Sequence, residues 1–153
     1  MGFRYVLHCK KCHYSTCLWE GIGFLYAKTY HDTMEEVKTG KLGKEIKDFL
    51  LKYPNGAIDP EPRIFQCEKC GDYASLRTLA MYIPDGINTR QNEKYVFPGE
   101  FNKYYKLYKE YRHTCKKCGG IMKLIRQNNA VEHLECPHCK GEILSISDVM
   151  SWS

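Results

Sequence analysis

Nine cysteines stand in this 153-residue chain, and eight of them form four Cys-x-x-Cys turns: Cys9/Cys12, Cys67/Cys70, Cys115/Cys118 and Cys136/Cys139. Two intervening residues let one turn aim both sulfurs at a single ion about 2.3 Å away, and two such turns facing each other complete a tetrahedron. Four turns therefore imply two metal ions, expected to be Zn2+ ahead of iron. Four thiolates fill the coordination shell and leave no position for water or substrate, so the chemistry on offer is structural. The bland alternative, eight unligated core thiols, does not explain the repeated spacing. Cys17, beside Leu18 and Trp19, reads as a small core residue. His8, His13, His113 and His138 lie at or near the turns and stay outside the ligand set.

Spacing suggests which turns share an ion. Seventeen residues lie between Cys118 and Cys136, a separation suited to one four-cysteine site, which pairs the third turn with the fourth. The first and second turns are then left to each other across 54 residues, a gap that a helical insertion can fill.

The elements that position these turns follow from periodicity. Strands are expected at Phe3 to His8, His13 to Trp19, Arg63 to Gln66 and Tyr73 to Tyr82. Thr33-Met-Glu-Glu has the form of a capping box and opens a short helix that Gly40 ends. Leu42, Ile46, Phe49, Leu50 and Tyr53 recur on one face of a second helix, stopped by Pro54-Asn55-Gly56, so the insertion spans about 33–53. Pro84-Asp85-Gly86 is a turn, and the polar run to Asn92 reads as a linker between a module at 1–92 and another at 93–153. Phe101, Tyr104, Tyr105, Tyr108 and Tyr111 fit a helix face, with a strand as the alternative. Ile121 to Arg126 and Val131 to Leu134 flank Gln127-Asn128-Asn129-Ala130 as a hairpin. The expected class is α+β: two small β modules, the first enlarged by helices.

Cys67-Glu-Lys-Cys-Gly, Cys115-Lys-Lys-Cys-Gly-Gly and Cys136-Pro-His-Cys-Lys-Gly resemble the knuckles of the zinc-ribbon, rubredoxin-like superfamily. The resemblance covers the knuckles and the hairpin. It implies that the glycine after the second cysteine takes a left-handed conformation, and Gly71 and Gly119 match. His13 after Cys12, and Lys140 before Gly141, depart from that pattern. Members of that superfamily bind nucleic acid or dock proteins, and the fold alone does not choose.

The formal charge of +5 shrinks to about +1 once eight thiols are ionised and two divalent ions are added. What remains is local: Lys103, Lys106, Lys109, Arg112, Lys116, Lys117, Lys123 and Arg126 crowd the second module as a candidate nucleic-acid-binding patch. Tyrosines among them can stack on unpaired bases, although such tyrosines are more often core. Lysines in the knuckles also offset the negative tetrathiolate centres. No phosphate loop, paired zinc histidines or nucleophile elbow is present, and His31-Asp32 beside Glu35 and Glu36 is most simply a helix start. The leading reading is a non-catalytic binding protein with nucleic acid or protein as partner. A rubredoxin-like iron electron carrier, and an enzyme whose site lies outside the metal centres, are the alternatives. No apolar run reaches the roughly 18 residues of a membrane span, and paired thiols suit a reducing compartment such as the cytoplasm.

Overall fold

The computed structural model describes residues 1–87, 95–127 and 129–153. In chain order its elements are β1 (Gly2–His8), β2 (Ser15–Glu20), α1 (Tyr26–Lys38), α2 (Lys44–Lys52), β3 (Ala57–Ile58), β4 (Pro62–Cys67) and β5 (Tyr73–Arg77). Then come β6 (Met81–Pro84), α3 (Glu100–Tyr104), β7 (Tyr105–Lys109), β8 (His113–Thr114), β9 (Ile121–Leu124) and β10 (Ser145–Trp152). The class is α+β, with small antiparallel sheets and a helical insertion. Two compact units emerge: one formed by Met1–Gly23, Pro62–Leu76 and Arg112–Ser153, the other by Phe24–Glu61 and Arg77–Tyr111. Of the linker expected to end near residue 92, residues 88–92 lie outside the described residues.

The first unit carries all four cysteine turns. One of its sheets has the order β10-β1-β2 and the other β5-β4-β9-β8. Alternation along β1 buries Leu7 with Leu18 of β2 in a core shared with Ile64, Tyr73, Val131, Leu134 and Leu144. A smaller cluster joins Phe65 and Met122 to Cys67 and Cys115.

The second unit holds the insertion and the sheet β3-β6-β7. Helix α1 starts seven residues before the expected cap at Thr33. Its buried residues Tyr26, Tyr30, Thr33 and Val37 fall on one face, so Thr33 is interior and its hydroxyl accepts from Arg77 Nη1 at 3.1 Å. Glu36, the supposed capping partner, instead pairs with Arg77 Nη2 at 2.8 Å. Gly40 does end the helix, at φ +83°, with the N–H groups of Gly40 and Lys41 returning to Val37 and Glu36. Helix α2 buries Ile46, Phe49 and Leu50, as its periodicity requires.

Three other expectations change. The long strand from Tyr73 to Tyr82 breaks into β5 and β6 where Leu79 takes φ +53°. The tyrosine-rich segment is helical only from Glu100 to Tyr104 and then becomes β7, which pairs with β6. Residues Ala130–His133 form a 3-10 turn entered by Asn129 at φ +55°, so among the described residues Val131 to Leu134 do not form the second strand of a hairpin with β9.

Candidate metal centres

Each cysteine turn is closed by the same backbone bond. Cys9, Cys67 and Cys115 donate to the carbonyls of Tyr14, Asp72 and Gly120, each five residues on, at 2.9, 2.8 and 2.7 Å. Cys136 reaches Glu142, six residues on, at 2.7 Å, so the fourth turn carries one extra residue. The glycine expectation holds in the second and third turns, where Gly71 and Gly119 take φ +78° and +74° and return their N–H groups to Cys67 and Cys115. In the fourth, Lys140 takes that place at φ +52°, a conformation that costs a side-chain-bearing residue about 1–2 kcal/mol.

The turns do not pair as their spacing suggests. Cys9 and Cys12 meet Cys136 and Cys139, while Cys67 and Cys70 meet Cys115 and Cys118; within each set all sulfurs lie within 4.8 Å of one another. The outer turns thus enclose the inner ones. Strand pairing explains the difference. Strand β9, needed for a local hairpin, is taken by β4, with Cys67 opposite Met122, and by β8. Strand β10, leaving the fourth turn, runs antiparallel to β1, which enters the first.

The sulfur separations test whether an ion fits. Cys9–Cys139 and Cys12–Cys136 stand 3.8 and 3.7 Å apart, and Cys67–Cys118 and Cys70–Cys115 3.4 and 3.7 Å. Sulfurs bound at about 2.3 Å in a tetrahedron are about 3.8 Å apart, whereas a disulfide needs about 2.05 Å. Both sets can therefore hold a metal ion, and the geometry is compatible with zinc-ribbon-like sites. No family model, curated protein or solved structure matches the chain.

Hydrogen bonding and burial move the thiols of each set in opposite directions. The N–H groups of Cys70 and Lys69 outweigh burial and bring Cys67 down to about 6. Burial lifts Cys9, but the N–H groups of Cys12 and Lys11 outweigh it and bring that thiol to about 7. Their neighbours move the other way. The N–H of Asp72 pulls Cys70 down, yet burial and the sulfurs of Cys118, Cys67 and Cys115 push it up to about 12. Hydrogen bonding to Cys12, then burial and Cys9, pushes Cys139 up to about 12. Each set thus places a thiol that ionises readily beside at least one, Cys70 in the inner set and both Cys12 and Cys139 in the outer, that resists ionising next to a thiolate, a conflict that a divalent ion removes.

Tyr14, Asp72, Tyr73 and Lys117 link the turns to one another, and the spacing of cysteines gave no sign of them. Tyr14 Oη donates to Asp72 Oδ1 at 2.8 Å, Lys117 Nζ pairs with Asp72 Oδ2 at 2.7 Å, and Tyr73 Oη donates to the carbonyl of Glu135 at 2.8 Å. Cys17 lies outside both sets, on β2, where its sulfur accepts from Arg4 Nε at 3.0 Å.

The residues expected as a basic patch come from both units. Lys103, Lys106 and Lys109 belong to the second unit, while Arg112, Lys116, Lys117, Lys123 and Arg126 belong to the first. Lys109 pairs with Glu45, Lys117 with Asp72, and Lys123 with Glu68 at 3.9 Å.

Proposed function

We propose that this chain is a non-catalytic protein braced by two structural zinc ions, one site nested inside the other, and that it acts by presenting a surface to a macromolecular partner. The carrying observation is the gathering of eight cysteines into two sets of four with tetrahedral spacing. Four thiolates per ion leave no open position for a reacting group, which supports a scaffold over a catalyst. Lys109, Lys117 and Lys123 are matched by carboxylates of the same chain, which lessens the support for these three as phosphate contacts. Among the described residues no helix is long and apolar enough to cross a membrane.

Elemental analysis with an absorption spectrum, on untagged protein purified without added metal, tests this reading. Two zinc per chain and no visible colour support it. Iron with a red colour replaces it with a rubredoxin-like electron carrier, because iron in four thiolates is redox-active and zinc is not. A folded chain without metal overturns it. For the partner, anisotropy of a labelled single-stranded oligonucleotide is read between about 50 and 200 mM salt. Tight binding with a steep salt slope, lost on joint replacement of Lys103, Lys106 and Arg112, restores nucleic acid; its absence is expected.

A further inference from the structure

The two cysteine sets differ in how they meet solvent. Among the eight paired cysteines, Cys9, Cys67, Cys115 and Cys136 are buried, Cys12, Cys70 and Cys118 are half-buried, and Cys139 alone is exposed. Its neighbours His138, Lys140 and Gly141 are exposed as well. The inner set has no such opening. Gly120 packs so closely over it that a Cβ would stand 2.9 Å from Cys67 Sγ, and Pro137 of the fourth turn lies against Gly71.

The backbone differs in the same direction. Lys140 holds φ +52° where the inner turns place Gly71 and Gly119, and the fourth turn closes over six residues where the others close over five. A side chain held in that conformation makes the fourth turn easier to open than either glycine turn. Access then decides reactivity, because a cysteine sulfur attacks a peroxide only where the peroxide can reach it. Cys139 also has the second sulfur that a disulfide needs: Cys9 Sγ stands 3.8 Å away, and all four sulfurs of the outer set lie within 4.8 Å of one another.

We propose that Cys139 is an oxidation site: a hydroperoxide reacts there first, and the outer set closes a disulfide and gives up its ion while the inner set keeps its own. The Cys139 thiolate attacks the peroxide, the O–O bond breaks, and a sulfenic acid forms as hydroxide leaves. A second thiolate of the outer set attacks that sulfur, the S–S bond forms, and a second hydroxide leaves. Two thiolates lose two electrons, one hydrogen peroxide gains them, and two protons from solvent complete two waters. The two thiolates that remain cannot fill a tetrahedral shell, so the outer site empties. Exchange with a dithiol reverses the oxidation, which makes the junction of the first and fourth turns a reversible latch. This inference rests on the metal reading above and gives the two sites different roles.

Hydrogen peroxide added to the untagged, zinc-loaded full chain tests it, with zinc release followed by a chromophoric chelator and disulfides located by peptide mass mapping. The zinc count before oxidation judges the metal reading separately: fewer than two per chain defeats that reading and this inference with it, whereas with two present only the oxidation results decide. One zinc should leave about tenfold or more faster than the other. The first disulfide should contain Cys139, with Cys67, Cys70, Cys115 and Cys118 still reduced. A dithiol with added Zn2+ should restore two ions per chain. Cys9→Ser with Cys136→Ser, which keeps only the inner set, should lose the fast phase and retain the slow one; should it misfold, the wild-type disulfide map decides. Ions lost together, first oxidation in the inner set, an outer disulfide that omits Cys139, or no disulfide at all overturns the proposal.

Discussion

The Tyr14 hydroxyl donates to Asp72 Oδ1 at 2.8 Å, and this bond joins the exit of the outer cysteine set to the exit of the inner one. Asp72 also holds Lys117, from the third turn, at 2.7 Å and is only 18% exposed. One carboxylate therefore couples three of the four turns. Replacing it by asparagine keeps the shape, removes the charge and weakens both bonds. Asp72→Asn should cost about 1–3 kcal/mol of unfolding free energy with both ions bound, read by denaturant titration. Tyr14→Phe should cost about 1 kcal/mol and leave the Lys117 bond intact.

The same carboxylate has a pH signature. Burial pushes Asp72 up, but Lys117 and Tyr14 outweigh it and hold the group below the ordinary carboxylate value. A depressed folded pKa means that the stabilisation is complete above the unfolded value of about 3.9 and fades as pH falls through the folded one. The stability gap between wild type and Asp72→Asn should therefore be constant from pH 7 to about 5 and close below about 4. Metal content followed in parallel separates this from loss of the ions. A gap that closes already near neutral pH would contradict the assignment.

Nested pairing is distinguishable from sequential pairing by counting ions. Cys115→Ser with Cys136→Ser strikes one site in a sequential arrangement but both sites in the nested one. Native mass spectrometry should find no tightly held zinc in that double variant and one zinc in Cys9→Ser with Cys136→Ser. Because structural zinc contributes about 10–16 kcal/mol in finger peptides, the first variant should also lose cooperative unfolding in the cysteine-bearing unit.

Gly120 gives a site-selective probe. A Cβ there would stand 2.9 Å from Cys67 Sγ, 3.3 Å from Cys118 Sγ and 2.7 Å from the Lys69 Cβ. Gly120→Ala should weaken the inner ion by about tenfold or more, near 1.4 kcal/mol, in competition with a chromophoric chelator, and leave the outer ion unchanged. Gly119→Ala meets open space but a φ of +74°, so its cost, about 1 kcal/mol, should come from backbone strain without a sulfur contact.

The cysteine turns, the end of α1 at Gly40, the face of α2 and the strand entering the first turn were legible because each depends on contacts within a few residues. The start of α1 was not. Thr33 and Glu36 carry the letters of a cap, but they serve Arg77, 44 and 41 residues away. The aromatic residues from Phe101 onward fit either period, and pairing with β6 made Tyr105–Lys109 a strand.

The sequence alone determined that eight cysteines sit in metal-type turns and that any ion they hold meets four thiolates. Tertiary structure decided which turns share a site. Spacing favoured the local pairing only weakly, because closing a loop of twice the length costs about 0.6 kcal/mol more. The antiparallel pairings of β4 with β9 and of β1 with β10 outweigh that difference. They bring Cys70 to Cys115 across 45 positions and Cys9 to Cys139 across 130. Strand partners are chosen by cores and edges assembled from distant segments, which no spacing between cysteines records.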